Sequence, residues 1–235
     1  MRAYRVGSRV PARRTIISLG VVLSLASADA AATAQTPAAA SVASKPSFDE
    51  LYRRGQKANA GITTLTARFT ETTSSSLLVA DRPVVARGSL YVQRGTPSRV
   101  ALHYTEPDAR TVLIDGNRMI TSWPSRNIRT SSDISRAQRD VEKYFTANDA
   151  GDLRRLFTID LHDTSARPGT HEVSMVPRRK QISETLTRLE LWVQEGSGLL
   201  QAMRMTFSNG DTKLMEFENV TPNAAIDPSV FAAPK

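Results

Sequence analysis

The residue types that perform catalysis or bind metals are few in this chain, and they are not spaced for either task. None of the three histidines, His103, His162 and His171, has the His-Glu-x-x-His spacing that places two metal ligands on one helix face. Asp160, His162 and Asp163 could coordinate a cation, but a solvated turn or strand end is the simpler interpretation. Because no nucleophile and base form a recognisable pair, we expect a binding protein without a cofactor or a metal, and not an enzyme.

Two short motifs also favour structural interpretations. Gly196-Ser197-Gly198 lacks the Gly-x-Ser-x-Gly pattern of a hydrolase and is typical of a hairpin turn. The basic run Arg178-Arg179-Lys180 is typical of a solvated loop, and contact with anionic lipid or a transporter domain is the alternative.

The charge of the chain is positive but scattered. The full sequence has 31 Lys and Arg against 23 Asp and Glu, a net charge of +8. Residues 1–34 hold five of the Arg and one Asp, which leaves +4 for the remainder. A modest positive charge suits an anionic membrane surface or an acidic partner. Nucleic acid is not an expected partner, because no basic stripe with interleaved aromatic residues is present.

The amino terminus has the order of a secretory signal peptide. Basic residues precede an apolar run over 16–26, and the small-residue triplet Ala32-Thr33-Ala34 follows. The run is much shorter than the roughly 20 residues of a membrane-spanning helix. We therefore expect export to the periplasm, with a signal peptide over 1–34 cleaved near Ala34, a disordered linker over 35–46 and one domain over 47–235.

The chain contains no cysteine. It therefore has neither the acylated cysteine of a bacterial lipoprotein nor disulfides, and its fold must be stabilised by its core alone.

Helical spacing appears in two regions. Ser47 and Glu50 have the spacing of a capping box, and Phe48, Leu51, Tyr52, Gly55, Ala58 and Ile62 recur behind Ser47 at helical spacing, which predicts a helix ending about Gly61. A second helical pattern runs over 134–145, and residues 152–157 could add another turn or two.

The rest of the domain alternates between apolar and polar residues, as antiparallel strands do. Asp115-Gly116 and Asn209-Gly210-Asp211 are strong hairpin signals. So many strands must curl, and their apolar concave face must be covered by helices or filled by a ligand. The predicted strands are 64–70, 87–94, 99–104, 111–114, 118–123, a strand around 128, 172–176, 186–193, 199–207 and 213–220.

Five stretches of the sequence together match the motifs of a known family: LTARFTE over 65–71, RGSLYVQR over 87–94, HYTEP over 103–107, VLIDGN over 112–117 and IDPSVFAAP over 226–234. They resemble the LolA family of outer-membrane lipoprotein carriers, in an order and spacing that agree across nearly all of the expected mature chain. The sequence departs from the family pattern at 95–97, where Gly-Thr-Pro replaces a direct Arg-Pro, and at 101–104, which lacks the usual Trp.

The resemblance implies a mainly β fold with helices: an incomplete antiparallel β-barrel of about eleven strands with an α-helical lid over an apolar cavity. It implies an acylated lipoprotein or other lipid as cargo, an inner-membrane ABC transporter of the LolCDE type as donor and an outer-membrane receptor of the LolB type as acceptor. We also expect a monomer.

The resemblance further suggests residues of the cavity and lid. Arg94 matches by position the family arginine that helps to hold the lid closed, although an exposed strand-end arginine is the alternative interpretation. Methionines suit an adaptable pocket, and each could equally be ordinary core. The other candidates are Phe69, Leu90, Leu102, Tyr104, Met119, Trp123, Met203, Met205, Phe207, Met215 and Phe217.

Two alternatives to a lipoprotein carrier remain. The same fold could carry another lipid or glycolipid, and only the bound ligand would distinguish the two. A periplasmic stress sensor that binds an anti-sigma partner is the other, although such relatives usually have an additional domain. An outer-membrane receptor of this fold would need the missing lipobox cysteine.

Overall fold

The computed structural model describes residues 46–75, 82–134, 150–162 and 165–232. The strands of these ranges form one antiparallel sheet of eleven strands. They are β1 (Thr64–Ser74), β2 (Val84–Gln93), β3 (Arg99–Glu106), β4 (Arg110–Asp115), β5 (Arg118–Trp123), β6 (Ile128–Asp133), β7 (Phe157–Leu161), β8 (Thr170–Pro177), β9 (Leu186–Gln194), β10 (Leu200–Phe207) and β11 (Thr212–Pro222).

The strand order is β6-β5-β4-β3-β2-β1-β11-β10-β9-β8-β7. Two meanders, β1 to β6 and β7 to β11, meet where the first strand pairs with the last, with Phe69 opposite Phe217. Because β6 and β7 are the two edges, the sheet stays open. The expected incomplete eleven-stranded barrel with helices is therefore confirmed.

One face of the sheet carries the main core, and we call it the inner face. Alternate residues of β1 point to it, beginning with Leu65, Ala67 and Phe69, because side chains along a strand alternate between faces. Leu51, Leu153 and Leu156 from two helices belong to the same buried apolar cluster. The helices therefore cover the inner face, as the predicted lid required.

The first helix, α1 (Phe48–Asn59), begins where the sequence predicts. The Ser47 hydroxyl accepts a hydrogen bond from the Glu50 amide at 3.2 Å, whereas the Glu50 carboxylate pairs with Arg54. Only one half of the predicted capping box thus forms. The periodicity is also wrong at its end, because Ala58 is exposed and Asn59 is buried in its place.

The middle of the chain corrects one prediction. The sequence predicts a helical extension over 152–157, and helix α2 (Ala150–Leu156) does form there, but Phe157 already begins the unpredicted strand β7. A further short helix, α3 (Lys180–Ser183), starts inside the basic run expected to be a loop. The ten predicted strands are confirmed, with ends that differ by a few residues.

The opposite, outer face carries a smaller apolar cluster over β3 to β5. Phe231 packs there against Ala101, Leu113 and Ile120. It belongs to the closing 3-10 turn, Pro228–Phe231, whose first amide is capped by the Asp227 carboxylate at 2.8 Å from the Ser229 nitrogen. Hydrogen bonds from the backbone and the side chain of Ser229 lower the pKa of Asp227 below its usual value.

Several predictions concern residues that the structure does not describe. The predicted signal peptide, nearly all of the linker, and the helix over 134–145 beyond Ile134 lie outside the described residues. Within the ranges that the structure does describe, no helix is long and apolar enough to cross a membrane.

Candidate ligand-binding site

Two cavities open along the inner face, one near each end of β1. The first has a volume of about 130 Å³ and lies where β1 begins, beside the last turn of α1. Apart from Asn59, Thr64 and Arg94, its lining is apolar or glycine. The apolar part includes Ile62, Leu65, Leu90, Val193, Leu200 and Phe217. This end of the inner face therefore offers an apolar pocket beneath a helix.

Arg94 joins the sheet to the last turn of α1. Its Nη1 donates a hydrogen bond to the Asn59 carbonyl oxygen at 3.0 Å, and its backbone nitrogen donates to the Thr63 oxygen at 2.8 Å. Carbonyls at a helix end have no partner within the helix, so a guanidinium is a favourable donor to them. Burial lowers the pKa of Arg94. The structure thus places Arg94 against the lid helix at the cavity wall.

Asn59 secures the same helix end to the β9-β10 hairpin. Its side-chain amide donates to the Gly55 oxygen at 2.9 Å and to the Gly198 oxygen at 3.3 Å, while its buried Oδ1 has no hydrogen-bond partner. Gly198 has φ +66°, and a Cβ on it would lie 3.0 Å from the Gly55 Cα. The hairpin and helix therefore touch backbone to backbone beside the cavity.

The second cavity is larger and more polar. It has a volume of about 570 Å³ and lies where β1 ends and β11 begins. Tyr104, Met119, Trp123 and Phe207 line it together with charged and hydroxyl-bearing residues. A ligand there would meet polar groups as well as apolar surface.

A buried ionic group, which we call the Glu71 cluster, forms one wall of the second cavity. The Glu71 side chain is only 6% exposed and accepts a hydrogen bond from the Tyr104 hydroxyl at 2.8 Å. Lys213 Nζ lies 3.2 Å and Arg110 Nη2 lies 3.5 Å from its carboxylate. The Arg110 guanidinium stacks 3.8 Å above the Tyr104 ring. Burial, followed by the charge of Glu71, raises the pKa of Tyr104.

The candidate residues from the sequence all lie on or beside the inner face, in three groups. Leu90, Arg94 and Phe217 line the first cavity, and Tyr104, Met119, Trp123 and Phe207 line the second. The remaining candidates line neither cavity and belong to the buried apolar cluster: Phe69, Leu102, Met203, Met205 and Met215.

The candidates predicted from the sequence did not include several polar residues that line the cavities, among them Asn59, Glu71, Arg110 and Lys213. A signal for two of them was present. Glu71 continues the inward alternation of Leu65, Ala67 and Phe69, and Lys213 continues that of Met215 and Phe217. A charged residue at an inward position of a strand predicts a buried, paired charge.

Two of the three possible cation ligands at the end of β7 are described, and Asp163 lies outside the described residues. Asp160 and His162 are both exposed. In the part of the chain for which side chains are described, no group of three or more His, Asp or Glu residues is arranged to hold a metal ion.

Sequence comparison decides the family. A sequence model of the family described as "Outer membrane lipoprotein carrier protein LolA" matches residues 60–234. The chain belongs to the LolA family. A comparison with curated proteins gives no significant match.

Several solved structures are similar to this chain at low sequence identity. An uncharacterised conserved protein from Thermus thermophilus is 10% identical with a TM-score of 0.50, covering 79% of this chain and 93% of that one. A putative outer membrane lipoprotein-sorting protein domain from Vibrio parahaemolyticus is 11% identical with a TM-score of 0.42, covering 77% and 94%. A LolA superfamily protein from Nitrosomonas europaea is 11% identical with a TM-score of 0.37, covering 78% and 96%.

Proposed function

We propose that this LolA-family protein is a periplasmic carrier, not an enzyme, that buries the acyl chains of a lipoprotein or another lipid on its inner face. The observation that carries the proposal is the apolar first cavity, roofed by the end of α1 and closed by the hydrogen bond from Arg94 to Asn59. Each methylene removed from water contributes about 0.8 kcal/mol to the free energy of burial. An acyl chain that crosses an aqueous space therefore needs an apolar cavity that shields it from water.

The cavity must enlarge to hold a full acyl chain. The packing between the two cavities includes Met203, Met205 and Met215, which are buried on the inner face. Unbranched thioether side chains can change rotamer at low cost and repack around a ligand. We infer that these methionines move aside when lipid enters and close the space when it leaves.

The route of the cargo is proposed by analogy with the family. The proposed donor is an inner-membrane ABC transporter of the LolCDE type, and the proposed acceptor is an outer-membrane receptor of the LolB type. Export rests on the signal-peptide pattern of residues 1–34. The carrier is proposed to act as a monomer.

Native mass spectrometry of the protein purified from its own periplasm tests the proposal. We expect a mature chain that begins near Gln35 and carries a lipid adduct. A triacylated lipoprotein identifies the cargo as proposed, whereas a free phospholipid or glycolipid supports the alternative carrier, which the polar second cavity favours. A stable complex with a membrane protein's periplasmic segment would instead support the sensor. A consistently empty protein would overturn the carrier proposal.

A matched pair of variants makes the same measurement specific to the first cavity. Val220 lines that cavity, whereas Val176 is exposed on β8. Val220→Glu places a carboxylate among apolar residues, so its lipid adduct should be lost, while Val176→Glu should retain the adduct. Equal adducts on both variants would contradict binding in this cavity.

A further inference from the structure

We propose that the second cavity binds the head group of the carried amphiphile, and that this head group combines one anionic phosphate ester with free hydroxyls, as phosphoglycerol does. The inference rests on the proposed carrier function, with a phospholipid and not a lipoprotein as the cargo, and deepens it, since it names a class of head group. It is carried by the charges and the unused hydrogen-bonding groups of the Glu71 cluster and of the loop that faces the same cavity.

The Glu71 cluster has more positive than negative charge. Arg110 and Lys213 share the single carboxylate of Glu71, and their side chains are 30% and 15% exposed. Among the described residues, no other carboxylate lies within ion-pair distance of these two cations, although Glu184 and Asp211 line the same cavity. An anion bound beside Arg110 and Lys213 would gain charge-assisted hydrogen bonds from them.

One hydrogen-bond donor of the Glu71 cluster also lacks a partner. Arg110 Nε is buried and has no hydrogen-bond partner. Stacking on the Tyr104 ring fixes the plane of the guanidinium, so the direction of this N–H is set before a ligand arrives. A guanidinium fork beside a lysine ammonium is an arrangement that recognises phosphate oxygens.

The loop after β10 supplies acceptors at the same cavity. Ser208, Asn209 and Asp211 line it, and so does Glu184. Asp211 Oδ2 accepts a hydrogen bond from the Asn209 amide at 2.7 Å, whereas its Oδ1 is buried without a partner. Carboxylate oxygens accept hydrogen bonds from hydroxyls and repel a second anion. The cavity therefore fits a head group with one phosphate and with hydroxyls.

The two cavities lie along one strand. Leu65 and Ala67 of β1 line the first, and Glu71 and Thr73 line the second. At about 3.3 Å per residue, corresponding positions are about 20 Å apart, with the buried apolar cluster between them. A single amphiphile could then place its acyl chain on the apolar stretch and its head group at the Glu71 cluster.

Calorimetric titration with short-chain lipids tests the proposal on the full mature chain. The probes are dioctanoyl phosphatidylglycerol and uncharged dioctanoylglycerol, which share the same acyl chains. Wild type should bind the phosphatidylglycerol about tenfold more tightly than dioctanoylglycerol, because one charge-assisted hydrogen bond contributes about that much affinity. Lys213→Gln should remove this preference, and Lys213→Arg should restore it.

The control is Arg188→Gln, which removes a positive charge from an exposed position of β9. It should keep the full preference, and thermal unfolding of every variant verifies that the fold is intact. Equal affinity of wild type for both lipids, or a preference that survives Lys213→Gln, would overturn the head-group site and leave the carrier proposal standing. Failure of wild type to bind either lipid would instead count against the carrier itself.

Discussion

At the scale of single residues, Arg94 is the side chain that connects the lid to the cavity. It donates to the last carbonyl of α1, and this bond must break if the helix end moves to admit lipid. Arg94→Leu removes the hydrogen-bond donor and places an apolar side chain in the wall of the first cavity. We expect lipid uptake to be unchanged and handover to an acceptor to be slower, because the emptied, closed state loses a hydrogen bond to a charged group, worth about 1.5–3 kcal/mol.

Stopped-flow transfer of a fluorescent acylated peptide to acceptor vesicles measures both steps. Arg188→Leu is the matched control, since Arg188 is exposed on β9. Transfer kinetics that are the same for both variants and wild type would refute the role of Arg94.

The Tyr104 hydroxyl is the neutral donor of the Glu71 cluster. Tyr104→Phe keeps the ring beneath Arg110 and removes the hydrogen bond to a buried carboxylate. The free energy of unfolding should fall by about 1–3 kcal/mol, since a buried charged acceptor loses one partner. Urea denaturation measures this loss. Tyr91→Phe, at a partly exposed ring on the outer face, should lower the free energy of unfolding far less. Equal losses for the two variants would show that the hydrogen bond of the Tyr104 hydroxyl does not stabilise the fold.

Residue types predicted the apolar part of the site better than the polar part. Phe69 and Met203 follow simple alternation, and alternation alone puts them on the inner face. Alternation also places Glu71 and Lys213 on the inner face, but it does not show which charges pair, because the contacts of Glu71 with Arg110 and Lys213 depend on strands far apart in sequence.

At the scale of elements, the β9-β10 turn and α1 are fitted to each other at Gly198. A side chain there would be strained by the positive φ and would press on the Gly55 backbone. Gly198→Ala should lower the free energy of unfolding by about 1–3 kcal/mol. Gly196→Ala, in the same turn but with nothing within 4 Å of its Cβ, is the control and should be close to neutral in thermal unfolding.

If Gly198→Ala were as stable as Gly196→Ala, the contact of the turn with α1 would not be a constraint on the lid. If it were destabilised as expected, the same variant should also weaken the hydrogen bond from Asn59 to the Gly198 oxygen.

Strand β7 was not predicted, because its local sequence pattern is not sufficient to identify it. Leu153, Leu156 and Phe157 have helical spacing, and helix α2 passes into β7 between the last two without glycine, proline or another turn residue. The alternation of Ile159 and Leu161 is too short to predict a strand on its own, and pairing with β8 determines it. The resemblance to the LolA family, and not periodicity, supplied the count of eleven.

At the scale of the whole molecule, the protection of backbone amides from hydrogen exchange should rise from the two edges to the centre of the sheet. Strand β6 is an edge whose residues are all exposed, whereas β1 is paired along its length on both sides. In native-state hydrogen exchange, we expect amides of β6 to exchange first and those of β1 and β11 last, because edge strands open at lower free energy. Equal protection across the sheet would contradict this ranking.

The pairing of β1 with β11 has a consequence for biogenesis. The strand that is synthesised first must wait for the one synthesised last, since Leu65 lies opposite Pro222. Contacts this distant in sequence slow folding, because a long loop must close before they form. A chain emerging from the ribosome cannot complete the pairing of β1 until β11 has been translated. Such delayed folding suits the export that we propose, because a secreted polypeptide is threaded through a narrow channel while still unfolded.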